Sequence, residues 1–388
     1  MNVILIFLIT AISSVFVYYK IGGLLTTEIA IILTIVIASI EFLRIVLKKG
    51  IKRNNLKYFI FINIIALYIF INFIITGSYS IFTAIKLIVY CFIYYFMVKI
   101  IIEDLNESSL VCKIVKLYIF IVGINIIWGF IQVIIFKLFG VILDYSSQVI
   151  VLQGKVRLTG LFGEPAHLGL FCLPIVLFNK EYFKKKIIFI LSVILALIIS
   201  NSTTSLIIAG FIFLKLLYSI SIKQKVIILV IGLVIGAGVV KNIDISRHIS
   251  ALSSSDTSSM ARVDKWKVVY DNMSVSEKIV GIGVEANTEK YLANDFDYSK
   301  YLVYLSYYPG FGQELIYLGI IGFILMNIMY FYIFNFKFNN IFFFVTFEIV
   351  RLGVSLTFNS NIMILLVILS FCIPKYCLLY QEKEFRED

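Results

Sequence analysis

The chain reads as an all-α, polytopic integral membrane protein of about twelve transmembrane helices with one long outer loop, and three features point there. Hydrophobic residues fill 61% of the 388 positions and mean hydropathy is +1.00, values that exclude a soluble domain. Charged residues are only 15% of the chain, and they gather in clusters that divide it into apolar runs. Residues 241–310 break that rhythm with about seventy positions that form no long apolar run, far beyond ordinary loop length.

The formal net charge of +11 would suggest nucleic acid in a soluble protein. Here it follows from membrane topology, and no nucleic-acid partner is expected. The five cysteines, Cys91, Cys112, Cys172, Cys372 and Cys377, lack metal-site spacing and imply no disulfide framework.

In chain order, the apolar runs place spans near 2–19, 24–43, 58–75, 81–101, 117–136, 162–178, 187–200, 205–221, 225–240, 311–334, 340–357 and 361–378. The first lacks a basic n-region and a small-residue cleavage site before Lys20, so it reads as a retained span rather than a signal peptide. The pair 187–200 and 205–221 is divided by the polar run Ser200 to Ser205, and the last pair by Thr357 to Asn361. Lys and Arg cluster at Lys48–Arg53, Lys184–Lys186, Lys223–Lys225 and Lys383–Arg386, which fall on one side if both termini are cytoplasmic. The whole chain, 1–388, then forms one transmembrane domain, with 241–310 as its extracytoplasmic loop.

Chemistry concentrates between Arg157 and Phe171. Pro165 has a fixed φ and no N–H, which suits the first turn of a helix. Glu164 and His167, three residues apart, then share a face. Two readings of Glu164 stand. Its carboxylate caps the helix through the N–H of His167, or it forms with His167 a titratable pair beside the Arg157 cation and a helix start that attracts anions.

Elsewhere, Arg262, Lys265 and Lys267 flank Trp266 in the long loop, as a solvated basic face or as a surface for a sugar on a lipid phosphate. Arg351 lies inside a span with Glu348 three residues before it, so the two neutralise each other or Arg351 faces a polar cavity. Asn125 and Gln132, seven apart, share one face of the fifth span and read first as helix-packing residues. No P-loop, zinc spacing or Gly-x-Ser-x-Gly occurs, so an ATP-driven pump is unsupported.

These residues resemble the O-antigen and capsule repeat-unit polymerases (Wzy-type) of the O-antigen ligase superfamily. The resemblance is carried by Arg157-x-x-Gly160-x-Phe162-x-Glu164-Pro165-x-His167, the Ser200–Ser205 turn, Arg262-x-x-x-Trp266 followed by Gly281-Ile282-Gly283, and Leu315-x-x-Leu318-Gly319-x-x-Gly322. It covers about residues 117–379, in the same order as in the family. It implies an inverting glycosyltransferase of the bacterial plasma (inner) membrane that joins undecaprenyl-diphosphate-linked oligosaccharides on the outer face. Neither metal nor other cofactor is implied. By matched position Glu164 and His167 form the base region, and Arg157 and Arg262 bind the diphosphate; Arg351 is added to them on grounds of burial. Implied partners are the lipid-linked oligosaccharide, membrane lipid, and a chain-length regulator and flippase of the same pathway. Many relatives carry a His about eleven residues before the Gly matching Gly319, where this chain has Tyr308. That departure weakens a ligase-type transfer to another acceptor. A lipid-linked oligosaccharide flippase is the alternative of different class, and the long loop argues against it.

Overall fold

Isoleucine- and phenylalanine-rich runs are mediocre helix formers in water. Where no solvent can accept a peptide hydrogen bond, however, the chain must satisfy its own, and a helix does so within one segment. The computed structural model describes residues 2–15, 20–21, 24–50, 53–103, 108–143, 151–152, 155–162, 164–228, 266–284, 286–292, 309–334, 341–352 and 361–387. Their regular structure is helical apart from two antiparallel hairpins of two residues per strand, Lys20–Ile21 with Leu24–Leu25 and Val151–Leu152 with Lys155–Val156.

Among the described residues the α-helices include α1 (Asn2–Val15), α2 (Thr26–Lys49), α3 (Arg53–Thr76), α4 (Ile81–Tyr90), α5 (Val98–Glu103), α6 (Ser108–Phe139) and α7 (Pro165–Cys172). They continue as α8 (Lys180–Lys185), α9 (Ile187–Ile199), α10 (Thr203–Ser219), α11 (Val275–Val280), α12 (Gly310–Ile333), α13 (Ile341–Arg351) and α14 (Asn361–Glu387). Among the described residues, five helices are long and apolar enough to cross a membrane: Glu28–Lys49, Leu56–Thr76, Ser108–Phe139, Gly310–Ile333 and Ile362–Gln381. The remaining apolar helices are shorter. With 13 residues α9 extends about 20 Å, less than a ~30 Å hydrocarbon core.

Several expected spans differ in form. The run at 81–101 is continuous to Glu103 but changes to a π-helix over Cys91–Met97. The run at 162–178 is an eight-residue α-helix followed by a 3-10 segment, Leu173–Leu177, where Pro174 interrupts the α ladder. The expected division after α9 is present, with Asn201 in the left-handed region at φ 50 and Ser200, Asn201 and Ser202 all buried. The span expected at 225–240 lies almost wholly outside the described residues.

The last of these five helices is the hub. The apolar window of α14 is 72% buried, against 22% for those of α2 and α3. It packs on α1, α5, α6 and the 3-10 segment. On α2, the exposed large side chains Leu33, Val36, Ile40, Leu43 and Leu47 recur at helical spacing. A large exposed apolar stripe is unfavourable in water and fits a membrane protein. A second, small core holds Val269, Met273, Ile282, Tyr291, Leu292 and Ile316, joining residues 266–292 to the first turns of α12.

Candidate functional site

The stretch from Arg157 to Gly169 is held by three neighbours. Leu158 occupies the space a side chain would need at Gly129 of α6, 2.4 Å from where its Cβ would stand. The Thr159 hydroxyl donates to Gln132 Oε1 at 3.3 Å, and the Leu161 N–H donates to Asn125 Oδ1 at 3.0 Å. Asn125 and Gln132 therefore anchor the incoming segment on α6. Between those two bonds Gly160 turns the chain at φ 66, and a Cβ there would lie 2.9 Å from the Asn125 carbonyl oxygen. Beyond the turn, Ser205 of α10 donates to the Pro165 carbonyl at 2.9 Å.

Pro165 starts α7, as its chemistry predicts, and Glu164 occupies the cap position with extended backbone, φ −137 and ψ 132. Its carboxylate makes no capping hydrogen bond. The His167 N–H instead donates to the Glu164 backbone carbonyl at 3.1 Å, leaving the carboxylate to other partners. Glu164 Oε2 stands 3.8 Å from His167 Nε2, with the two side chains 31% and 25% exposed. That separation is longer than a hydrogen bond and within ion-pair range when the imidazole is protonated. A half-buried carboxylate and an imidazole at this spacing can exchange a proton with a third group through one bridging water or after a small side-chain rotation closes the gap.

Arg157 is buried, with 9% exposure. Its Nε donates to the Ser200 carbonyl at 3.3 Å and one terminal nitrogen to the Asn201 carbonyl at 3.2 Å. These carbonyls are left over at the end of α9, where a cation also complements the helix dipole. Arg157 thus ties the site to the α9–α10 turn.

Arg351 is fully enclosed at 0% exposure. One terminal nitrogen lies 2.9 Å and 3.0 Å from the two Glu348 oxygens, and the other is paired with Glu314 of α12. The guanidinium sits 4.6 Å from the Tyr330 ring centroid, and the Tyr330 hydroxyl donates to Glu314 at 2.5 Å. Of the two readings of Arg351, the self-neutralised pair is nearer, although Glu348 is only half of the countercharge. Among the described residues its hydrogen-bonding partners, Asn327, Glu348 and Glu314, come from α12 and α13 and not from the 157–169 stretch. Sequence reasoning missed Glu314, which lies one residue before the Leu315-x-x-Leu318 motif it singled out. A carboxylate so near an apolar run was the available signal.

Arg262 lies outside the described residues, as does Tyr308. Trp266 packs edge-on against Phe311 at 5.8 Å, over the start of α12. No family model, curated protein or solved structure matches this chain.

Proposed function

We propose that this protein is an inverting membrane glycosyltransferase that polymerises undecaprenyl-diphosphate-linked oligosaccharide repeat units on the outer face of a bacterial plasma membrane. The observation that carries the reading is the Glu164–His167 pair at 3.8 Å, with a carboxylate that does not cap its helix. In the reaction an acceptor hydroxyl oxygen attacks the anomeric carbon of the donor glycan. The bond to the diphosphate breaks with its electron pair passing to the phosphate oxygen, and the hydroxyl proton passes to Glu164, with His167 as relay. Cations stabilise the departing charge. Because Arg157 donates to carbonyls and Arg351 is paired with two carboxylates, the largest share of that task falls to Arg262.

The test is polymerisation by the purified protein on isolated lipid-linked repeat units. Wild type is expected to give a ladder of lengthening chains. Glu164→Gln, which preserves shape but cannot take a proton, is expected to leave single units on the lipid. Normal ladders from Glu164→Gln would remove Glu164 as the base, and the absence of any ladder from wild type would remove the polymerase reading.

A further inference from the structure

The Gly281-Ile282-Gly283 motif plays no part in the chemistry above, yet it builds a cavity. α12 is broken at Gly319, whose φ of 66 and ψ of −176 leave the helical region. Carbonyls just before such a break lose their partners within the helix. The Ile282 N–H donates to the Ile316 carbonyl and the Gly283 N–H to the Tyr317 carbonyl, both at 3.0 Å. From α3, Tyr68 bonds the Leu318 carbonyl and Asn72 the Val280 carbonyl. Gly281 and Gly319 cross backbone to backbone, since a Cβ on Gly319 would stand 2.5 Å from the Gly281 nitrogen.

This strap and the end of α3 border an open cleft of about 500 Å³, within the size range of small-molecule sites. Its polar lining includes Thr76, Ser78, Glu277, Asn287, Lys290 and Tyr291, over an apolar floor that includes Val280 and Ile282. The charges balance: Lys290 Nζ lies 3.8 Å from Glu277 Oε1 and 4.5 Å from the Tyr291 ring centroid. The Tyr291 hydroxyl donates to Glu277 at 2.5 Å, which fixes the carboxylate. Hydroxyl, amide, carboxylate and ammonium groups around an apolar floor match a sugar ring, with its polar edge and C–H faces. A diphosphate needs an excess of cations, which this lining lacks.

We propose that this cavity is a carbohydrate subsite that takes a neutral, hydroxyl-rich unit of the glycan; the sugar class rests on the polymerase reading. The probe is the host cell's own repeat-unit oligosaccharide, released by mild acid from lipid and phosphate, titrated into the full-length protein in lipid nanodiscs. Saturable binding is expected in wild type, weakened at least tenfold by Ala286→Phe, which fills the cavity. Inorganic pyrophosphate is expected not to compete. No binding to wild type, equal binding to folded Ala286→Phe, or pyrophosphate competition that Lys290→Gln abolishes would each overturn the subsite. The two readings fail separately. Normal ladders from Glu164→Gln would remove the proposed base and leave the binding result standing, whereas undiminished binding to Ala286→Phe would remove the subsite alone.

Discussion

Arg157 and Arg351 are both buried guanidinium groups, and they are held by opposite means. Arg157 donates to two neutral carbonyls at the end of α9, whereas Arg351 sits between the carboxylates of Glu314 and Glu348. Removing the first strands two dipoles; removing the second strands one buried charge, on Glu314, and one part-buried charge, on Glu348. The comparison teaches that burial of a cation does not by itself indicate a ligand site. Lys99 repeats the Arg157 arrangement by donating to the Ile333 carbonyl, the last of α12, at 3.1 Å. Lys215 repeats it at the Val176 carbonyl, near the end of the 3-10 segment.

The comparison breaks most visibly at Arg351. Arg351→Ala leaves Glu314 and Glu348 facing each other without their cation, and loss of one partner from a buried ion cluster costs about 3–5 kcal/mol. Folded protein recovered from membranes is expected to fall severely. Arg351→Met combined with Glu314→Gln, which strands fewer charges, is expected to recover part of it. Wild-type recovery and thermal stability of Arg351→Ala would contradict the sealed cluster.

At Arg157 the stability effect is smaller. Arg157→Ala forfeits two hydrogen bonds to carbonyls, a loss of roughly 1–3 kcal/mol, and Arg157→Lys recovers much of it because an ammonium also donates to a helix end. Activity is expected to divide differently, since Lys cannot reproduce the guanidinium fork. Arg157→Lys should accumulate near wild-type level and form little polymer. Full polymer from both Arg157→Ala and Arg157→Lys would leave Arg157 with the helix-end role alone.

Much of this was legible in the sequence, and the unread part has a common cause. The long Ile- and Phe-rich helices, the α7 start at Pro165 and the break at Ser200–Ser202 follow from local chemistry, and the structure carries all three. The π segment in the fourth run and the break in α12 do not. Gly319 departs from helical geometry where the Gly281 strap crosses it, and that meeting joins positions far apart in the chain. Glu314 is likewise 37 residues from Arg351. The same holds for Arg157, whose sequence motif names the cation but not the carbonyls it binds 43 and 44 residues later. Partners chosen by tertiary packing leave no periodic trace.

The Glu277–Lys290 pair, exposed where the guanidinium sites are buried, sharpens the contrast through pH. Burial opposes ionisation of Glu277, but the Tyr291 hydroxyl, the Ser274 N–H and hydroxyl and the Lys290 ammonium together hold its carboxyl below the ordinary 4.5. A depressed carboxyl contributes stability above its unfolded value and loses it as pH falls through the folded one. Lys290 is raised above 10.5, chiefly through its hydrogen bond to Tyr291, so its share is present below that value and is lost as pH rises through the folded one. An exposed pair contributes at most about 1 kcal/mol. Trp266 emission in a Trp128→Phe background should therefore stay flat between those two values and change on either side. A midpoint near neutrality would assign the transition to other groups.

The smallest stability effect belongs to Glu164, and it bears most directly on the site that Arg157 holds. A side-chain cap contributes about 0.5–2 kcal/mol, so Glu164→Ala would lower stability by that amount if the carboxylate capped α7. Here the cap position is filled by backbone geometry alone, and the side chain is 31% exposed. Thermal unfolding of Glu164→Ala is expected to match wild type within ~0.5 kcal/mol, while polymer formation is lost. Glu164→Asp separates the roles further. Asp is the better cap, yet it withdraws the carboxylate by one methylene from any hydroxyl it must reach within ~3 Å. Unchanged stability with slow polymerisation in Glu164→Asp fits a base, whereas raised stability with full activity fits a cap. The second outcome would return this stretch to a purely structural role, and His167→Ala would then show whether the imidazole acts without its neighbour.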